Sequence, residues 1–291
     1  MSTRSCHTSR SFPALGTLAL VATMILVGGC SEEAGTGSNP GAAADAAEPE
    51  KRSLLEALGE HHRRIRNAPG RTGILAEEKR YSLFDEELII RDFFQDRGGG
   101  VFVDVGCAWP IYANNTYYLE KHLDWTGIGI DALEDYAEGW KRERPNSKFF
   151  RYLVTDRSGG TGTFFRSPNT GLSSTNQDRA AGKNYGDSLE PEKLEIPRIT
   201  LDDLLDREGI EKIDLLSMDI EGHEPKALAG FDIDRFRPDL VVVEGKSRAV
   251  TKYFHEHGYE EIERYIPFDG INRYFQRKPE SATESSSPPQ D

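Results

Sequence analysis

The sequence predicts an α/β domain: a doubly wound, mostly parallel sheet with helices on both faces and an antiparallel strand pair at its C-terminal end. Three observations predict it. Short apolar runs alternate with segments of helical periodicity from about residue 81 to residue 257. The first run, "VFVDV", is almost continuously apolar, as a strand covered on both faces must be. The last two strand-like runs, 259–265 and 272–276, read as closing strands that pair antiparallel.

The elements follow in order. Arg4 and Arg10 precede an apolar stretch at 15–27, then "VGG" and Cys30. A basic start, a short apolar run and small residues before a cut site make a secretory signal, and the run is short for a membrane span. A cysteine directly after "VGG" resembles a bacterial lipobox. Residues 1–29 are therefore expected to be a lipoprotein signal peptide. Residues 30–52 are expected to be a lipidated Cys30 and a flexible linker, because Gly, Ala, Ser, Pro and Glu without aromatics cannot build a core. This places the remainder outside the cytoplasm, anchored to a membrane. The folded domain is expected over 53–277, with a helical preface at 53–66, and 278–291 as a polar tail.

Apolar residues at Leu83, Phe84, Leu88, Ile89, Phe93 and Phe94 predict a helix over 81–95, ended by Gly98, Gly99 and Gly100. A strand at 101–105 follows, then a helix at 114–122, a strand at 127–130 and a helix at 134–144 stopped by Pro145. The third strand is read at 149–154. The segment "SGGTGTFFRS" is hairpin-like, and 168–195 reads as a long polar loop, fit to be a lid or an acceptor-binding edge. Thr200 caps a helix with Asp203 at its third position. Strands at 213–218 and 240–243 and a helix at 247–257 complete the pattern.

The net charge of −13 makes a nucleic-acid partner unlikely on electrostatic grounds. Cys6, Cys30 and Cys107 are far apart and form neither a disulfide framework nor a zinc pattern. In a doubly wound sheet, ligands sit beyond the carboxyl ends of the strands at the switch in strand order. Five strand ends carry an acid: Asp104, Asp131, Asp156, Asp219 and Glu244. Asp131, after the second strand, is placed to accept from ribose hydroxyls; the competing role is a helix cap. Gly106 is a lone glycine where a pyrophosphate loop has three. A loop with one glycine beside a carboxylate suits a nucleoside carrying positive charge and no phosphate, such as S-adenosylmethionine. Asp156 could accept from the adenine amino group, or be a turn acid.

The segments "FVDVGCAWP", "NNTYYLEKHLDWTGIGIDA", "ITLDDLL" and "IDLLSMDIEGHEPKALAG" resemble the FkbM-type methyltransferases, over roughly 83–277. The resemblance implies a Rossmann-like seven-stranded fold, S-adenosylmethionine as cofactor and methylation of a hydroxyl. It also implies that Asp104 and Gly106 line the methionine end of the cofactor and that Asp131 holds its ribose. Ala108-Trp109-Pro110 departs from the pattern, where many members continue with another glycine.

Asp219, Glu221, His223 and Glu224 follow the fourth strand, where the acceptor would meet the methyl group. His223 suits a general base, with Glu221 or Asp219 orienting it; the alternative is that Glu221 and His223 cap the next helix. Asp219, Glu221 and His223, with Glu244 near, could instead hold magnesium or calcium; a resident metal is not expected. The predicted function is O-methylation of a sugar or small metabolite. The other reading is a catalytically silent, membrane-tethered module that binds carbohydrate or nucleoside. Retention of Asp104, Asp131 and Asp219 favours the active one.

Overall fold

The computed structural model describes residues 68–183, 186, 188–245 and 247–279. The expected signal peptide, Cys30, the linker, the preface at 53–66 and nearly all of the tail lie outside the described residues. No helix among the described residues is long and apolar enough to cross a membrane.

Seven strands form the main sheet in the order β3-β2-β1-β7-β8-β10-β9. They are β1 (Val101–Val105), β2 (Thr126–Asp131), β3 (Ser147–Arg151), β7 (Leu215–Met218), β8 (Leu240–Glu244), β9 (Tyr259–Glu261) and β10 (Asn272–Arg277). All neighbours are parallel except β10, which runs antiparallel to both β8 and β9. The doubly wound sheet with an antiparallel C-terminal pair is therefore present. Strand order reverses between β1 and β7, so the ligand-binding crevice of this architecture opens there.

Alternation along β1 divides the core. Val103 and Val105 pack with Leu216, Val241 and Val243 on one face. Phe102 packs with Leu215, Leu240 and Val242 on the other. The helices covering these faces are α1 (Glu86–Phe94), α2 (Tyr117–Leu123), α3 (Ala137–Glu143), α5 (Leu201–Glu208), α6 (Glu224–Leu228), α7 (Ile233–Phe236) and α8 (Arg248–Glu256), while the short α4 (Gln177–Ala180) lies in the loop after residue 166. Thr200 Oγ1 accepts from Asp203 N at 3.1 Å, so the expected cap on α5 is formed.

Several boundaries differ from the sequence reading for local reasons. The helix expected over 81–95 begins only at Glu86. Upstream, Glu86 Oε2 accepts from Phe84 N at 2.7 Å and Glu87 Oε2 from Tyr81 N at 2.8 Å, which holds residues 81–85 in turns. The helix expected at 114–122 begins at Tyr117, because Asn114 Oδ1 accepts from Thr116 N at 3.0 Å and closes a turn first. The third strand divides: β3 stays in the main sheet, and β4 (Leu153–Val154) crosses into a second sheet of order β4-β6-β5. There β5 (Thr161–Arg166) pairs antiparallel with β6 (Glu192–Ile199), placing Phe164 opposite Leu194. The polar loop thus ends at residue 191, and the strand partner of "TGTFFR" lies beyond it. The strand expected at 259–265 stops at Glu261 and gives way to a single 3₁₀ turn.

Candidate functional site

Register brings the strand ends together. Val105 pairs with Ile130 on one side and Met218 on the other, and Met218 pairs with Val243. Gly106, Asp131, Asp219 and Glu244 therefore emerge at one edge of the sheet. They line a cavity of about 1310 Å³, its mouth included.

The cavity has two halves. In the first, Gly106, Ala108, Trp109, Asp131, Leu133 and Tyr136 form the wall, with Tyr152, Val154 and Phe164 facing them from the second sheet's side. Gly106 has φ +81°, and a Cβ there would lie 1.8 Å from the carbonyl oxygen of Asp219. Only glycine fits this approach of β1's turn to β7's. Half-buried Asp131 is held by two backbone donors: Ala108 N donates to Oδ2 at 3.1 Å and Leu133 N to Oδ1 at 2.8 Å. Burial nevertheless lifts its carboxyl from 3.8 to about 6, with the two backbone bonds opposing.

Asp104 does not line the cavity. It is buried behind the β1 turn, where its carboxylate accepts from Thr116 Oγ1 at 2.9 Å and Asn114 Nδ2 at 3.3 Å. Burial raises it from 3.8 to about 6 against these bonds and the Arg144 charge. Fully buried Arg144 donates to Pro110 O, Asn114 Oδ1 and Thr116 Oγ1 at 3.1–3.2 Å, and its guanidinium lies over Trp140 at 4.2 Å. Asp104 and Arg144 thus hold the loop that presents Gly106 and Trp109. The expectation that Asp104 faces the ligand is corrected: a buried side chain on β1 meets the loop's own polar groups first. Asp156 is corrected too. It is exposed, outside the cavity lining, and bonded to Thr155 Oγ1 at 3.2 Å, because the chain has already turned into the second sheet. Buried Cys107 has its thiol pushed up by burial, so no thiolate is available.

In the second half, Asp219, Glu221 and Glu244 each offer an oxygen within 4.8 Å of the others, which is the one metal-compatible carboxylate set among the described residues. His223 is not part of it. Burial pushes the carboxyls of Glu221 and Glu244 well up; Asp219, exposed to solvent, shares a hydrogen bond with Glu244. Glu221 stands at φ +54° with Arg179 Nη1 at 3.3 Å from its Oε2.

His223 lines the cavity between two hydroxyls: Nδ1 lies 3.0 Å from Thr175 Oγ1 and Nε2 3.4 Å from Thr155 Oγ1. Burial, helped by Lys226, lowers its pKa, so the ring is neutral at neutral pH. Threonines, rather than Asp219 or Glu221, orient it. Nor does His223 cap α6: its side chain makes no cap bond. Glu224 instead ties down the turn before the helix, its Oε1 accepting from Ile220 N and Gly222 N, both at 3.1 Å.

The loop after β5 lies over this half. Ser174 Oγ donates to Glu221 O at 3.0 Å, and Gly171, Ser173 and Thr175 line the cavity. Glu86 from α1 and Asn272 from β10 close the far side, joined by Asn272 Nδ2 to Glu86 Oε1 at 3.2 Å. Sequence reasoning missed both as site residues, since neither follows a parallel strand; only the antiparallel start of β10 beside Glu244 brings them in.

Residues 100–266, more than half of the chain, match the family described as the methyltransferase FkbM domain. No curated protein matches the chain significantly. Among solved structures, a TehB-like SAM-dependent methyltransferase from Corynebacterium glutamicum is similar at 13% identity. The match covers 77% of this chain and 97% of that one, with a TM-score of 0.36. A Burkholderia thailandensis 1,6-didemethyltoxoflavin-N1-methyltransferase, with bound 1,6-didemethyltoxoflavin and S-adenosylhomocysteine, is similar at 10% identity. That match covers 81% of this chain and 91% of the other, with a TM-score of 0.31.

Proposed function

Because this chain belongs to the methyltransferase FkbM domain family, we propose that it transfers a methyl group from S-adenosylmethionine to a hydroxyl of a sugar or other small metabolite. The observation that carries this is the convergence of Gly106, Asp131 and Asp219 on one cavity at the switch point of the sheet. The donor set fits the cofactor. Asp131 keeps lone pairs for ribose hydroxyls beyond its two backbone bonds. Gly106 lets the backbone come close, and among the described residues no Lys or Arg lines the cavity to attract a pyrophosphate. When bound, the cofactor supplies an electrophilic methyl on a sulfonium.

The chain's own residues do the rest. Trp109, Leu133, Tyr136 and Phe164 exclude water from the nucleoside end. Thr175 and Thr155 hold the His223 ring against the cavity, where its neutral nitrogen accepts the proton of the acceptor hydroxyl. Asp219 supplies negative charge beside the reacting centre, with Glu221 tied to Arg179 behind it. A protein exported by its signal and anchored through a lipid on Cys30 would act on envelope or secreted hydroxyl compounds, and this placement is part of the proposal.

Calorimetric titration of S-adenosylmethionine into the purified protein tests the reading. Micromolar binding that weakens by about tenfold or more in Asp131→Ala supports it. A well-folded protein that binds no S-adenosylmethionine would sink it in favour of the silent tethered module.

A further inference from the structure

We propose that the acceptor half of the cavity takes a cationic, hydroxyl-bearing small molecule, with an ammonium group seated at Glu244 and Asp219. The proposal rests on the reading that the Gly106–Asp131 half holds the nucleoside cofactor.

The lining is one-sided in charge. Among the described residues, five carboxyl side chains line the cavity (Glu86, Asp131, Asp219, Glu221 and Glu244), and no lysine or arginine does. Four of the five stand in the acceptor half. A phosphate, sulfate or carboxylate on the acceptor would meet like charge at close range, which costs several kcal/mol in a partly desolvated site.

Glu244 gives the second, independent observation. It is 93% buried, with a relative exposure of 7%, yet it lines the cavity. Among the described residues, the side chains that act on it most strongly are Asp219, Glu221 and Glu224, all carboxyls. A buried carboxyl crowded by other carboxyls is costly to ionise, and an arriving positive group lowers that cost. The described cations nearby have partners of their own, although Arg179 also acts on Asp219. Arg179 pairs with Glu221 at 3.3 Å, and its guanidinium packs on the Gly222 turn. Lys79 acts on Glu86, but its Nζ donates to Ser82 O at 2.7 Å. Neither lines the cavity.

The remaining lining selects an organic cation over a metal ion. Asp219, Glu221 and Glu244 are near enough to share a divalent cation. Glu221, however, already faces a guanidinium, which leaves two carboxyls rather than three for a newcomer. Beside them stand Asn115, Asn272, Ser173 and Thr175, partners for several hydroxyls of a polyol. Two carboxyls among amides and hydroxyls suit an amino-bearing sugar.

Three hexoses that share a ring and differ in charge test this: glucosamine, glucose and glucuronate, each titrated into the full chain loaded with S-adenosylhomocysteine, with and without magnesium. Glucosamine is expected to bind at least about tenfold more tightly than glucose, and glucuronate most weakly. Glu244→Gln is expected to erase most of that preference while S-adenosylhomocysteine still binds; Glu244→Ala serves if the first variant does not fold. Equal affinities, the reverse order, or no glucosamine binding would overturn the proposal. Magnesium binding that excludes glucosamine and disappears in Glu244→Gln would also overturn it, by giving the seat to a metal. Failure of S-adenosylhomocysteine to bind falls on the cofactor reading instead. The hexose series on the unloaded protein then decides the seat, the same order supporting it and any other order overturning it.

Discussion

The two halves of the cavity differ in how they are built. The half proposed for the nucleoside comes from consecutive strand ends, β1 and β2, and its key groups are tied to backbone: Gly106 against the Asp219 carbonyl, Asp131 on two amides. The acceptor half is assembled from α1, β7, β8, β10 and the loop after β5, and its key groups are side chains that face one another. A wall made of backbone tolerates few substitutions and serves one ligand shape. A wall made of carboxyls, hydroxyls and amides can change its ligand by exchanging single residues. Within one fold, the first half is expected to be rigid and the second to set specificity.

The sharpest way to break that comparison is Gly106→Val. A Cβ 1.8 Å from a backbone oxygen cannot be accommodated, and φ +81° disfavours any branched residue. Cofactor binding is expected to fall by more than about a hundredfold, or folding to fail; a thermal melt beside the titration separates the two. If Gly106→Val bound normally, the backbone-built half would not be rigid at all.

Next is His223→Gln, which removes the proposed base and can keep bonds to Thr175 and Thr155. Turnover with a methyl acceptor is expected to drop by roughly a hundredfold or more, with S-adenosylmethionine affinity unchanged. Because burial lowers the His223 pKa, wild-type turnover is expected to be sustained to lower pH than a solvent-exposed imidazole would allow. Equal loss of affinity and turnover would show that His223 is structural.

Asp131→Ala should weaken S-adenosylmethionine by roughly tenfold to a hundredfold, the worth of one or two hydrogen bonds to a charged group. A smaller effect follows from its titration. Burial raises the carboxyl from 3.8 to about 6, so between those values the folded protein holds a proton that the unfolded chain has released. The native state therefore loses stability as pH rises through that window, and in the same window the carboxylate becomes an acceptor for ribose. S-adenosylmethionine affinity is expected to rise by about tenfold from pH 5 to pH 7, and Asp131→Asn to flatten the curve. A flat wild-type curve would remove Asp131 from the ligand. Asp156→Ala is expected to do least, with less than about a twofold change in affinity, since its carboxylate is exposed and outside the cavity.

The sequence by itself determined the winding of the sheet and the acids at its strand ends. Apolar runs alternating with helical periodicity leave few arrangements for burying both faces of a parallel sheet, and strand ends in that fold share one edge. Gly106, Asp131, Asp219 and His223 were legible for that reason. So was the fold expected from "VDVG" and "DIEGHE".

What only the tertiary structure decided is which of those acids line the cavity and what accompanies them. Asp104 carries the same side chain as Asp131 one strand away, yet Thr116, Asn114 and Arg144 draw it behind the loop. Asp156 leaves the site because β4 joins another sheet. Glu86 and Asn272, 186 positions apart, meet across the far wall through a single hydrogen bond. Local pattern reports how a segment buries its own apolar face, but the partner of a polar side chain is set by whichever distant element packs against it.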